Sequence, residues 1–201
     1  MKFIAIEGID GAGGETQSKR LVAYLRKRGF KAKRIVYPDE KRPVGRFIHE
    51  WLHSKTRLEP VLLFLLYAGD MLKDAERIRK WLKEGYWIIA DRWFCSTLAY
   101  QGVQGISLNQ ALEFARVFRM PKPDINLLLR ISPEESIRRK LGENKELDRN
   151  ETNKELLKRV SKQYDMLARK QVFGKWRVID GERSKEEVFE QIRKALGLPG
   201  P

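Results

Sequence analysis

Residues 3–17 read FIAIEGIDGAGGETQ, an apolar, β-rich run that ends in a glycine-rich turn and passes straight into a helical pattern. Few folds accept that order. The apolar run presents hydrophobic side chains to both faces, as a strand inside a sheet does. The turn Gly8-Ile9-Asp10-Gly11-Ala12-Gly13 then brings successive backbone N–H groups next to a helix N-terminus, which makes a concave seat for an anion such as phosphate. The usual closing triplet is Gly-Lys-Ser/Thr, in which the lysine reaches the β/γ-phosphates and the hydroxyl holds Mg²⁺. Here Gly14 and Glu15 follow Gly13, so the cation is missing and a carboxylate stands at the metal position. Gly8, Gly11, Ala12, Gly13, Gly14, Glu15, Thr16 and Gln17 are the candidate donor-phosphate residues, and Glu15 is also a candidate Mg²⁺ ligand. Restoring lysine at position 14 together with threonine at 15 is expected to raise affinity for the donor.

Four further β-rich apolar segments follow residues 2–6, at 33–37, 86–90, 125–131 and 176–180. Helical patterns separate them at 16–28, 44–53, 60–83, 108–118, 133–141, 154–170 and 185–196. Ser132-Pro133-Glu134-Glu135 and Ser184-Lys185-Glu186-Glu187 read as capping boxes that start two of the helices. The alternation predicts an α/β fold: a three-layer, doubly wound sheet of five parallel strands, with ligands at the carboxyl ends. With 201 residues and neither an internal repeat nor a linker, the chain is expected to form one domain, 1–201, with a lid segment near 138–150.

Lys and Arg exceed Asp and Glu by 14, which favours anionic partners. The cations are spread over helical faces without a polybasic tail or aromatic RNA-binding pattern, so nucleotides are expected rather than nucleic acid. Cys95 is the single cysteine, which rules out an intrachain disulfide and fits a reducing cytoplasm. The first apolar run is cut by Glu7, and no stretch reaches the length of a membrane span.

A second motif stands at the end of the third strand, Asp91-Arg92-Trp93-Phe94-Cys95-Ser96-Thr97-Leu98-Ala99-Tyr100-Gln101-Gly102. An aspartate there can orient Mg²⁺ through water, and an arginine can grip a phosphate bidentately. Thr97 and Gln101 offer a donor and acceptor for a pyrimidine edge.

DRWFCSTLAYQG resembles the DRY…SSLAYQG segment of thymidylate kinases, and EGIDGAG with TQ resembles their phosphate-loop opening. LLFLLYAGDM is similar to the family's LLFAADR helix, and SPEESIRRKLG…ELDRNE to its strand-to-lid segment, so the resemblance spans about residues 3–170. It implies a P-loop kinase fold, transfer of the γ-phosphoryl group of ATP to dTMP with Mg²⁺, and a homodimer, helped by the apolar helix around residues 62–66. By position, Asp10 meets the deoxyribose or positions a catalytic arginine, Tyr67 stacks on thymine, and Arg92 binds the acceptor phosphate. Thr97 and Gln101 bond the base, Tyr100 fills the space of a ribose 2′-hydroxyl, and Asp91 serves the metal.

The chain departs from the pattern at Gly14 and Glu15, at Met71 where the family's helix offers an arginine to the base, and around Tyr37–Gly45, where the cation falls late. The lid is rich in cations, with Arg138, Arg139, Lys140, Lys145 and Arg149 around Gly142. Arg138, Arg139 and Arg149 are the candidate catalytic arginines that replace the lysine. The alternative reading is a nucleotide-binding sensor or regulator on the same fold with impaired catalysis.

Overall fold

The computed structural model describes residues 2–142, 147–151 and 153–200. Five strands, β1 (Phe3–Glu7), β2 (Ala32–Val36), β3 (Trp87–Asp91), β4 (Ile125–Arg130) and β5 (Lys175–Asp180), form one parallel sheet in the order β2-β3-β1-β4-β5. Every residue of β1 and β3 is buried, as central strands covered on both faces require. Chain order reverses at β1, which pairs with β3 on one side and β4 on the other. The crevice above the carboxyl ends there is where such sheets bind ligands.

Nine α-helices among the described residues flank the sheet in the expected three-layer α/β arrangement: α1 (Gly14–Lys27), α2 (Pro43–Leu52), α3 (Pro60–Leu72), α4 (Ala75–Lys83), α5 (Phe94–Tyr100), α6 (Leu108–Val117), α7 (Pro133–Leu141), α8 (Lys154–Arg169) and α9 (Lys185–Ala195). Helix α1 packs on α9, with Tyr24 and Phe189 edge to face at 5.7 Å, and α5 packs on α8. A smaller apolar cluster of Ile48, Trp51, Leu52 and Leu63 joins α2 to α3 beside the main core.

Three local readings change. The single helix expected over 60–83 is two, because the chain turns at Lys73 and Asp74. The break is tertiary: Asp70 accepts from the Asp39 backbone N–H at 2.8 Å and Asp74 from the Tyr37 hydroxyl at 2.8 Å. Helix α5 was not expected; all seven of its residues are buried, so it has no amphipathic period to read. At Ser132 only half of the capping box forms. Its hydroxyl accepts from the Glu135 N–H at 3.3 Å, but the Glu135 carboxylate turns to Arg138 and Arg139. Complete boxes form at Ser184 and, unforeseen, at Ser107.

Candidate active site

The turn after β1 has the shape its glycines permit. Gly13 is the N-cap of α1 at φ 95°, a left-handed conformation that a side chain would strain. Three contacts brace the turn from outside: the Ser136 hydroxyl donates to Asp10 O at 2.6 Å, Arg139 Nη1 to Gly11 O at 3.3 Å, and Arg92 Nη1 to Gly8 O at 2.8 Å. Above it lies an open cavity of about 860 Å³, walled by the loop residues together with Arg34, Asp91, Arg138 and Arg139. Gly8, Gly11, Ala12, Gly13, Gly14, Glu15, Thr16 and Gln17 all line it. The Gln17 side chain is buried and donates to Lys185 O at 3.0 Å, so it ties α1 to the start of α9. The Glu15 carboxylate lies 2.7 Å from Lys19 Nζ with its side chain 65% exposed, while Asp91 is nearly enclosed at the carboxyl end of β3.

A second cavity, of about 300 Å³, lies beside the first and is lined by Tyr67, Met71, Arg92, Thr97, Tyr100 and Gln101, with Asp10, Leu52, Asp148 and Glu151 around them. Sequence reading named Asp10, Tyr67, Arg92, Thr97, Tyr100 and Gln101 as substrate-side positions, and the fold places all six on this cavity, beside Met71. Thr97 and Gln101 are buried on α5 and at its end, and the Thr97 hydroxyl lies 4.0 Å from the Met71 sulfur. Tyr67 is half-buried on α3; burial, reinforced by Asp10, raises its phenol well above the ordinary range.

The two cavities share a neck formed by Asp10, Tyr37, Glu40, Arg92 and Lys140. Arg92, at a left-handed φ of 65°, lines both cavities. Asp10 holds it at 2.5 Å and with its other oxygen accepts from the Tyr100 hydroxyl at 2.8 Å. Burial opposes the Arg92 charge, yet Asp10 and the neighbouring anionic groups keep it protonated well above its ordinary range. Lys140 is paired with Glu151 at 2.8 Å.

Behind the neck is a buried acid that sequence reading treated only as an interruption of the first strand. Glu7 accepts from the Trp93 N–H at 3.0 Å, from the Ser96 hydroxyl at 2.5 Å and from the Tyr164 hydroxyl at 3.2 Å. Burial pushes its carboxyl up to about 7 despite those bonds.

The cations that sequence reading assigned to a lid separate. Arg138 and Arg139 line the donor cavity, Arg138 largely exposed and paired with Glu135 at 2.6 Å, Arg139 reaching Gly181 O at 2.8 Å as well as the loop. Arg149 lies elsewhere, with its guanidinium 4.4 Å from the Trp51 ring centre and donating to Thr56 O at 2.7 Å. Lys145 lies outside the described residues. Arg34 was missed, as one of many cations in the sequence, and Glu40 was noted only as part of the stretch Tyr37–Gly45, without a role of its own.

A family model described as thymidylate kinase matches residues 6–192. The thymidylate kinase of Carboxydothermus hydrogenoformans is 36% identical over 209 aligned positions that cover 99% of this chain and 98% of the relative. The probable thymidylate kinase of Pyrobaculum aerophilum is 33% identical, covering 98% and 96%. A solved structure of thymidylate kinase from Candida albicans superposes with a TM-score of 0.78 at 26% identity, covering 98% of this chain and 91% of that one. The same two-cavity site thus sits on a fold and a full-length sequence match that support a nucleoside-monophosphate kinase, and the chain belongs to the thymidylate kinase family.

Proposed function

We propose that this chain transfers the γ-phosphoryl group of ATP to dTMP, giving ADP and dTDP in the supply of dTTP, and that it does so with a phosphate loop that has no lysine. The observation that carries the reading is the neck: a donor cavity and an acceptor cavity meet at Asp10, Glu40, Arg92 and Lys140, so two phosphate groups can approach in line there.

An oxygen of the acceptor phosphate attacks the γ-phosphorus, the bond to the β–γ bridging oxygen breaks, and ADP leaves with that electron pair. The backbone N–H groups of the loop and the first turn of α1 hold the donor phosphates. Arg92, fixed by Asp10, binds the acceptor phosphate and stabilises charge as it moves. Tyr67 stacks on the base and Thr97 and Gln101 read its edge, while Tyr100, anchored on Asp10, occupies the space that a ribose 2′-hydroxyl would need. Arg138 and Arg139 supply charge from α7 on the donor side. Mg²⁺ would arrive with the donor, as MgATP, and Asp91 and Glu15, both on the wall of the donor cavity and ion-paired to Arg34 and Lys19, are the carboxylates that would meet its waters.

A homodimer in the cytoplasm completes the reading. Val61, Leu62 and Leu65 on α3 are large apolar side chains left exposed, and Phe64–Phe114 contact sets that helix beside α6, which ends in exposed Val117 and Phe118. A second copy burying this face would show as twice the chain mass in light scattering.

One feature favours a second reading, a nucleotide-binding regulator with impaired turnover: the loop lacks a lysine and carries an exposed carboxylate. A coupled assay of the purified protein with MgATP and a panel of nucleoside monophosphates, run beside calorimetry with each nucleotide, decides between them. Turnover greatest with a deoxypyrimidine monophosphate supports the kinase. Tight binding with no ADP formed supports the regulator.

A further inference from the structure

The space above Gly14 is occupied. A Cβ on that residue would lie 2.7 Å from Asp91 Oδ1, well inside contact distance. Asp91 is held in place, since its other oxygen accepts from Arg34 Nη2 at 2.5 Å and from the Ser18 hydroxyl at 3.2 Å, and Ser18 Oγ in turn accepts from Arg34 Nε at 2.7 Å. Arg34 leaves β2 and reaches across the end of β3 to the first turns of α1, where its side chain is 21% exposed on the wall of the donor cavity. A guanidinium carries five N–H donors in a rigid fork, and these bonds use two of them. A positive charge therefore stands on the wall of the donor cavity, delivered from β2, on the far side of β3 from β1, instead of from the loop itself.

We propose that Arg34 is the donor-phosphate cation of this protein and that Gly14 is glycine because any side chain there would drive Asp91 off Arg34. This deepens the kinase reading and rests on it for the identity of the donor as a nucleoside triphosphate. The lysine's role has moved to another element, and Asp91, held by Arg34 and Ser18, stands against the position that a lysine's Cβ would take. Restoring lysine by itself then adds no cation to the site; it trades one for another.

The test is a cycle of Arg34→Gln, Gly14→Lys and the double variant, read as ATP affinity by calorimetry with circular dichroism for folding. Arg34→Gln should weaken ATP by about 30-fold, the scale of lost hydrogen bonds from a charged donor. Gly14→Lys alone should bind ATP no more tightly than the natural chain. In the double variant, where Asp91 is released, lysine should regain about 10-fold or more of the loss. That rescue separates a phosphate-binding role from a structural one. Unchanged affinity in folded Arg34→Gln, a tightening of about 10-fold in Gly14→Lys alone, or a double variant no better than Arg34→Gln would each overturn the proposal. The Gly14→Lys arm stands even if Arg34→Gln does not fold. Failure of the kinase reading looks different: ATP binds with these ratios, but no monophosphate is phosphorylated.

Discussion

Replacing Glu7 by Gln isolates the cost of keeping an acid behind the neck. In the folded chain its carboxyl titrates at about 7 because burial disfavours the anion, against 4.5 for the ordinary group. Between those two values the folded state holds a proton that the unfolded state has released, so stability must fall as pH rises through the interval. At about 1.36 kcal/mol for each tenfold change in proton affinity, the rise corresponds to roughly 3 kcal/mol of stability that is fully present below about pH 4.5 and lost by about pH 8. Glutamine cannot ionise and keeps most of the pocket. Its carbonyl can accept from the Trp93 N–H, and its amide can donate to the Ser96 or Tyr164 hydroxyls, both of which can turn to accept.

The measurement is urea unfolding of both proteins across about pH 4.5 to 8.5. A fixed offset from the altered hydrogen bonds is expected at every pH and carries no information. The expected result is a difference between the curves that swings by about 3 kcal/mol in favour of Glu7→Gln as pH rises. Parallel curves would refute the reasoning, since they would mean that Glu7 titrates alike in the folded and the unfolded chain.

Asp10→Asn should release Arg92 from its 2.5 Å partner and lower kcat by about 10²- to 10³-fold in a steady-state coupled assay. A loss below about 5-fold would remove Asp10 from the positioning of charge. Among the lid arginines, alanine at Arg138 or Arg139 should lower kcat by about 10²-fold in at least one case, whereas Arg149→Ala should act chiefly on melting temperature, because Arg149 covers Trp51. For the base, Met71 offers no hydrogen bond to a pyrimidine edge, which leaves Thr97 and Gln101 to read it. The kcat/KM values for dTMP, dUMP and dCMP should therefore fall within about 10-fold of one another, and a sharper preference would mean that another group reads the base.

The strands were legible because β1 and β3 are apolar on both faces and each ends at an acidic residue, Glu7 and Asp91. The acceptor side was legible for a similar reason: Arg92, Thr97, Tyr100 and Gln101 are close in sequence, so one short helix sets their spacing. What could not be read depended on contacts between distant segments. Helix α5 has no polar face, and the break between α3 and α4 is made by Tyr37 and Asp39 from the far side of β2. Arg34 is hidden most completely. In Lys33-Arg34-Ile35-Val36 it is one cation in a strand, and only the parallel register with β3 carries it towards Asp91 and Ser18. The missing lysine was visible in the sequence; the occupied space where it would go was not.

Charge at the site does not follow charge on the chain. The protein carries a net charge of +14, yet on the acceptor wall Asp10, Glu40, Asp148 and Glu151 outnumber Arg92 and Lys140. A monophosphate is thus drawn by distant cations and meets local acids on arrival. These two fields differ in range. At ionic strengths near 0.1 M, charges more than about 10 Å apart are largely screened, while groups in contact with the ligand are screened far less. Adding salt should therefore remove the attraction before the repulsion, and KM for dTMP should rise several-fold between about 0.02 and 0.2 M NaCl, then level off. Thymidine, which has no phosphate, should show no such rise in its dissociation constant under the same conditions. If KM for dTMP falls with salt instead, the acidic wall governs binding at every ionic strength, and the distant cations are a property of solubility alone.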